Sequence, residues 1–310
     1  MTASHPTPVP AEALTDLRAD IDRIDEAMHR LLMERGQIID RLVAVKRNQT
    51  EGSAFRPARE AAMMRRLVER HEGLLPLDTV ESIWRVIIST FTYVQAPYAV
   101  HADLSVGEPQ MRDSARFHFG FTTPFVPHMG PRGVIEAVAA SKGDLGLLPA
   151  AALGAGAGHA GGAAWWTRLE GDAAPKIIAR LPFVDRADHP AGLPVFVVSH
   201  PIADAAVTEV EAWSVHVADW SPRAANAIAA CAELMVSAEG EAGGAALLVS
   251  VPAGQLAPAL DALAQGGARV ERTVRVGSHA TPHRVTTPRV SGSAGAAGPV
   301  DPGTDGRPRP

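Results

Sequence analysis

The segment from Leu14 to Lys46 carries an apolar pattern that constrains the fold more than any other feature. Its apolar residues recur at alternating spacings of three and four, which is typical of a long helix packed lengthwise against other helices. They are Leu14, Leu17, Ile21, Ile24, Met28, Leu31, Ile38, Leu42 and Val45. Arg35 stands where this pattern calls for an apolar residue, and a guanidinium inside a helix interface is unfavourable unless an anion meets it. The pattern therefore favours a helical bundle that binds something negative; the alternative is a coiled-coil seam whose arginine reaches out to solvent.

Helix geometry limits which cations of this segment can serve one site. At 1.5 Å per residue, Arg18 lies about 25 Å from Arg35, and Lys46 lies about 16 Å beyond Arg35. Side chains of Arg35 and Lys46 can converge on one small ligand, whereas Arg18 can join them only from a second, antiparallel copy of the helix. Two shorter helices are predicted, one starting at Pro57 and one from about Asp78 to Gln95. Because these cannot bury so long a seam in a monomer, we predict a homodimer through the first helix.

Composition sets the broad class of the protein. Of 310 residues, 46% are hydrophobic and 20% are charged, as in ordinary globular proteins. The net charge of −5 gives no drive toward nucleic acid or an anionic membrane surface, and no apolar run reaches the length of a membrane span. The single cysteine, Cys231, fits a reducing compartment, and the first dozen residues lack the pattern of a signal peptide. We therefore expect a cytoplasmic protein with neither nucleic acid nor a membrane as a partner.

Short motifs in the first hundred residues carry a family resemblance. They read LR at 17–18, ER at 34–35, VAVK at 43–46 and RPARE at 56–60, and they end with Gln95. In this spacing the segment 12–98 resembles the all-helical class of chorismate mutase. The resemblance implies an intertwined homodimer that isomerises chorismate to prephenate with no cofactor and no covalent intermediate.

The same resemblance implies catalytic roles for three residues. Arg35 is expected to hold a substrate carboxylate, and Lys46 and Gln95 are expected to donate to the ether oxygen as the C–O bond breaks. A pericyclic rearrangement needs no nucleophile. It needs a compact substrate conformer and preorganised donors on the developing charge, which such a pocket offers.

Three further residues are implied in substrate binding: Arg18 from the partner chain, Arg59, and Glu60 as acceptor for the ring hydroxyl. Taken singly, Arg59 and Glu60 are also ordinary residues of a first helical turn. The sequence departs from the family pattern at Arg56, where relatives often carry an acidic residue, and at Phe91, where they often carry a small hydroxyl residue.

The character of the chain changes from about residue 107. A strand is predicted at 116–121, a helix at 134–141, and strands at 143–150, 175–184 and 193–199, which together indicate a small α/β unit at 107–200. The strand at 143–150 resembles part of the first lobe of prephenate dehydratase. The catalytic Thr-Arg-Phe sequence of that family is replaced here by Leu193, Pro194 and Val195, so we expect a truncated region without dehydratase activity.

The remaining segment, 210–282, is predicted to have a βαββαβ order, which resembles the ACT regulatory domain. Its loops lack the motifs that bind phenylalanine in that family, so the resemblance does not identify a ligand. A flexible leader is expected at 1–11 and a disordered tail at 286–310. The expected fold is thus multidomain: an all-α three-helix domain and, after it, small α/β and ACT-like domains.

Two alternatives to a mutase remain open on the sequence. One is a regulatory or interaction protein whose mutase pocket has decayed, and the other is a bifunctional mutase–dehydratase. A separate signal, the dinucleotide-like glycines Gly156, Gly158 and Gly161, is better interpreted as a loop, because the glycine-rich segment after Gly161 makes a poor helix.

Overall fold

A computed structural model describes residues 11–46, 53–105, 107–150, 164–201, 208–240 and 243–285. The predicted tail at 286–310, the predicted leader up to residue 10 and the loop containing Gly156, Gly158 and Gly161 lie outside the described residues. The side chain of Lys46 also lies outside the description, although its backbone ends the first helix.

The N-terminal part consists of three helices, as the apolar periodicity predicts. Helix α1 spans Ala11–Lys46, α2 spans Pro57–Arg70 and α3 spans Leu77–Gln95. Proline at the first position of α2 lacks the backbone N–H that would have no partner there, which favours a helix start at this point. None of the helices in the described ranges combines the length and apolar character of a membrane-spanning segment.

The apolar seam of α1 is largely uncovered within one chain. Leu17 and Ile21 are each 57% exposed, and Leu31 is 64% exposed. On α3, Val86 and Val94 are also exposed. A run of apolar side chains of this length, left in water along two helices, is typical of a surface that another protein surface covers.

The opposite side of α3 is buried and partly polar. Its buried residues are Val80, Glu81, Arg85, Ile88, Ser89 and Thr92, which recur at helical spacing. This face packs against the second half of the chain, where α4 (Glu108–Phe119) contacts α3. Helix α3 therefore joins the helical domain to the α/β region by its polar face and leaves apolar residues outside.

The second half is a mixed α/β region built on one large sheet. In chain order its remaining elements are β1 (Val100–Asp103), β2 (Phe125–His128), α5 (Pro131–Ala140), β3 (Leu145–Pro149), a short 3-10 helix (Trp165–Leu169), β4 (Lys176–Leu181), β5 (Val184–Asp185), β6 (Val195–Ser199), β7 (Val210–Ala218), α6 (Pro222–Ala229), β8 (Leu234–Glu239), β9 (Ala245–Pro252), α7 (Leu256–Gln265), β10 (Arg269–His279) and β11 (His283–Arg284). Within the described part of the chain the sheet has nine strands in the order β2-β1-β3-β6-β4-β10-β7-β9-β8, and β5 pairs separately with β11.

The strand pairing divides the sheet into two halves that meet at β4 and β10. Strands β2, β1 and β3 are parallel, with Val100 opposite both Phe125 and Leu145, and β7 to β10 pair antiparallel. At the junction Gly277 of β10 lies opposite Ile177 of β4. A Cβ at Gly277 would lie 2.1 Å from the Ile177 carbonyl oxygen, so the junction requires glycine. The predicted 107–200 and 210–282 regions thus share one continuous sheet.

One element differs from the prediction. The segment 116–121, predicted as a strand, lies mostly in helix α4, so the strand prediction was wrong. The buried residues Met111, Ser114, Ala115, His118 and Phe119 recur at helical spacing, and Pro109 opens the helix. Residues 116–119 alternate between polar and apolar, as in a strand, but four residues are too few to distinguish a strand from a helix.

The βαββαβ order predicted for the last region is confirmed by β7, α6, β8, β9, α7 and β10. Ser221 caps α6 by accepting a hydrogen bond from the Ala224 N–H at 3.3 Å. The hydrophobic core is shared across the chain: one buried cluster includes Phe55 and Met64 of the helical part and Val195 of the sheet. The helical domain therefore rests on the sheet through a continuous apolar contact.

Candidate functional site

Arg35 lies on α1, half-buried against α3. Its guanidinium carbon is 5.1 Å from the centroid of the Phe91 ring, a cation–π arrangement. Burial, and secondarily the charge of Arg59, lower the pKa of Arg35. No carboxylate among the described residues offsets these two effects on Arg35. Two guanidinium groups from α1 and α2 thus lie close enough to repel each other, as expected for a site that receives an anion.

Gln95 is the last residue of α3, one helical turn after Phe91. Its side-chain nitrogen donates to the backbone oxygen of Phe91 at 2.9 Å, and the side chain is half-buried. Phe91 thus lies between the two residues, with its ring against Arg35 and its backbone oxygen bound to the Gln95 amide. Lys46 ends α1, eleven residues after Arg35 and so about 16 Å further along the axis. The structure thus brings Arg35, Arg59 and Gln95 to one region and leaves the Lys46 ammonium undescribed.

Glu60 is buried, in the first turn of α2, and its carboxylate is already engaged. Its Oε2 accepts a hydrogen bond from Arg85 Nη1 at 2.7 Å, with the two side chains 5% and 1% exposed. Arg85 also donates to the backbone oxygen of His118 on α4. Glu60 therefore ties α2 to α3 through its Oε2.

Arg18 lies on the exposed part of α1. Helix α1 is unbroken between Arg18 and Arg35, so the separation of about 25 Å along the axis holds. Within one chain Arg18 therefore does not reach the region of Arg35, Arg59 and Gln95.

Sequence reasoning missed a second group of buried charged side chains, which joins α3 to the α/β region. Glu81 of α3 accepts from Arg186 Nη1 at 3.0 Å, and its other oxygen lies 3.2 Å from His189 Nε2. All three side chains are 5% exposed or less. The signal was present in the sequence, since Glu81 and Arg85 stand four residues apart and so lie on one face of the helix. These pairs attach α3 to the α/β region.

The α/β region shows apolar packing where the dehydratase-like resemblance places catalytic residues. Leu193 is 5% exposed and Val195 is fully buried, and both belong to the core shared with the helices. Neither offers a group for acid–base chemistry. Among the described residues, no three His, Cys, Asp or Glu side chains are arranged to hold a metal ion.

Comparison with known proteins finds relatives described as bifunctional enzymes. The chain is 30% identical over 142 residues to the bifunctional chorismate mutase/prephenate dehydratase of Aquifex aeolicus (strain VF5), covering 44% of this chain and 39% of that protein. It is 33% identical over 109 residues to the protein of the same description from Neisseria gonorrhoeae, covering 35% of this chain and 29% of that protein. The chain thus spans well under half the length of these relatives.

A solved structure described as "GqqA- a novel type of quorum quenching acylases" is 17% identical to this chain. The match covers 59% of this chain and 96% of that one, and its TM-score of 0.40 is too low to show a shared fold.

The family model of type II chorismate mutase matches residues 17–96, which are the residues that fold into α1, α2 and α3. On this evidence, residues 17–96 form a type II chorismate mutase domain, and a mixed α/β region comes after it.

Proposed function

We propose that the protein is a chorismate mutase, an isomerase that converts chorismate to prephenate in aromatic amino acid biosynthesis. The observation that carries the proposal is the half-buried Arg35, which has no counter-ion among the described residues, is approached by Arg59 and lies next to Gln95 within the matched domain. A dicarboxylate substrate supplies the missing negative charge. The names of the relatives support the same reaction.

In this proposal the pocket acts by binding and orientation. Arg35 holds one substrate carboxylate, and Arg59 adds positive charge beside it. Gln95 and Lys46 donate to the ether oxygen, where negative charge grows in the transition state, so they stabilise it more than the ground state. Glu60 accepts a hydrogen bond from the ring hydroxyl at Oε1, while Arg85 holds the other oxygen, Oε2, in place. These protein groups perform the reaction without a cofactor.

The proposal includes a homodimer through α1 in a cytoplasmic enzyme. The exposed apolar residues of α1 and α3 supply the surface for a partner. If Arg18 serves the site, the distance of about 25 Å to Arg35 means that it comes from that partner. An antiparallel copy of α1 meets both needs. The α/β region is proposed to hold a truncated dehydratase-like part and an ACT-like part that contribute stability or regulation.

A mutase assay tests the function. Chorismate loss, monitored by ultraviolet absorbance, is expected with the purified full chain and is expected to fall by roughly 100-fold or more for Arg35→Ala. Arg132→Ala is the matched control, because Arg132 forms an exposed pair with Glu136 on α5, outside the domain. No turnover at millimolar chorismate would favour a regulatory protein with a decayed pocket, for which the Phe91 ring beside Arg35 is the specific structural argument.

A mixing experiment tests the shared site. Arg18→Ala and Arg35→Ala chains are each expected to be inactive alone. Mixed and allowed to exchange subunits, they form heterodimers in which one of the two sites is intact, so activity returns. Absence of recovery from a demonstrated heterodimer would contradict the contribution of Arg18 from the partner. Phenylpyruvate formation from prephenate, which we do not expect, would reveal the bifunctional alternative.

A further inference from the structure

A cavity of about 470 Å³ lies where three parts of the fold meet, and none of the residues proposed for the mutase site lines it. Its lining residues are Arg65 of α2, Arg180 of β4, Asp185 of β5, Glu233 before β8, and Thr281, Pro282, His283 and Arg284 at the end of the described chain. This size falls within the range of about 300–1,000 Å³ that is typical of small-molecule sites. The walls come from the helical domain, the central sheet and the C-terminal strand.

Arg180 is the most informative wall residue. Its side chain is half-buried, and its guanidinium forms neither a hydrogen bond nor an ion pair with any residue that the structure describes. Asp185 and Glu233 attract it without reaching ion-pair distance, and Arg284 repels it. Burial of the guanidinium is the main reason that its pKa is lowered. A half-buried cation without a partner is unfavourable unless a ligand supplies the anion.

The other two arginines are only loosely held. Arg65 lies 3.6 Å from Glu209 and Arg284 lies 3.6 Å from Asp185, and all four side chains are at least 39% exposed. Pairs of this kind contribute little and exchange readily for a better partner. Both arginines are therefore available to a bound anion together with Arg180.

The balance of charge selects the kind of anion. Three arginines and two carboxylates line the cavity, and Glu209 at its edge pairs with Arg65 at 3.6 Å and accepts a hydrogen bond from the Thr281 N–H at 2.9 Å, so the three positive charges are balanced by three carboxylates. Asp185 and Glu233 disfavour a doubly charged phosphate and instead accept hydrogen bonds from a donor group. Guanidinium forks bind carboxylates in bidentate geometry.

From these features we propose that the cavity is a binding site for a small monocarboxylate that also carries an amine or hydroxyl donor. The carboxylate binds Arg180 with help from Arg65 and Arg284, and the donor faces Asp185 and Glu233. Because Arg65 belongs to α2 and Arg284 to β11, the bound molecule links the helical domain to the C-terminal end of the sheet. This site is separate from the mutase pocket and does not depend on the mutase proposal.

A matched set of ligands tests the proposal by calorimetry at constant ionic strength. The set is 4-methylpentanoate, 2-hydroxy-4-methylpentanoate and leucine, which differ only at the carbon next to the carboxylate, with inorganic phosphate as a fourth probe. Saturable binding is expected for the hydroxy or amino compound, severalfold tighter than for the compound without a donor. Tight binding of phosphate alone, or no binding of any probe, would overturn the assignment.

Variants then locate the site. Arg180→Met is expected to weaken binding roughly 10- to 100-fold, because a charge-assisted bidentate contact is lost. The unliganded Tm is expected to stay or rise, since Arg180 has no partner to lose among the described residues.

Two controls accompany this variant. Arg132→Met is the control for the substitution, and Arg35→Ala is the control for binding at the mutase pocket; both should bind the ligand as the wild type does. A lower Tm with unchanged binding would show a structural role for Arg180. If Arg180→Met does not fold, Arg180→Lys keeps the charge, and it should still bind more weakly because the fork is gone.

Discussion

The buried pair of Glu60 and Arg85 is the contact whose removal should have the largest effect on stability. The pair is 2.7 Å long, and its side chains are 5% and 1% exposed. Replacing Arg85 with methionine keeps most of the volume but leaves the Glu60 carboxylate buried without a cation and the His118 carbonyl without its donor. Breaking a buried pair in this way costs about 3–5 kcal/mol. We therefore expect the free energy of unfolding of Arg85→Met to fall by about that amount.

Urea unfolding monitored by far-ultraviolet circular dichroism measures the change, at one fixed protein concentration because dimerisation affects apparent stability. The double variant Glu60→Gln/Arg85→Met removes the stranded charge and should recover at least half of the loss. The exposed pair of Arg132 and Glu136, whose side chains are 71% and 54% exposed, is the control, and Arg132→Ala should change stability by less than about 0.5 kcal/mol. A loss for Arg85→Met as small as that of the control would refute the reasoning, as would a double variant no more stable than the single one.

Three further predictions concern affinity, pH and capping. Phe91→Ser should lower the KM for chorismate severalfold in the absorbance assay, because the ring beside Arg35 is removed; an unchanged KM would show that Phe91 does not limit binding. Burial lowers the pKa of His279 to about 4 from its usual 6.5, so the unfolded state binds its proton first and stability should fall by about 3 kcal/mol as pH drops from 6.5 to 4. His279→Gln should flatten that part of the pH profile of urea midpoints, and an unaltered profile would exclude His279 as its source. Ser221→Ala removes the cap on the Ala224 N–H and should lower the free energy of unfolding by about 1 kcal/mol, whereas Ser221→Asp should leave it nearly unchanged.

Local patterns in the sequence were sufficient for most of the elements. The three helices of the N-terminal part can be predicted from apolar spacing, from Pro57 and from the breaks after Lys46 and Arg70, and the βαββαβ order from alternation and from the Ser221 cap. These features depend on neighbours within a few residues, so a sequence displays them directly. The same apolar spacing marks Arg35 as a cation at an apolar position.

Contacts between distant residues were not accessible in that way. The face that α3 buries carries Glu81 and Arg85, because partners more than a hundred residues away, such as Arg186, satisfy the Glu81 charge. The single sheet across 107–282 depends on Gly277 admitting the Ile177 backbone, and the strand predicted at 116–121 is helical because its buried face packs on α3. The free energy of such a contact depends on the folded structure. A buried charge is favourable only with a partner nearby, and a glycine is needed only where another backbone comes close, and neither can be read from neighbouring residues in the sequence.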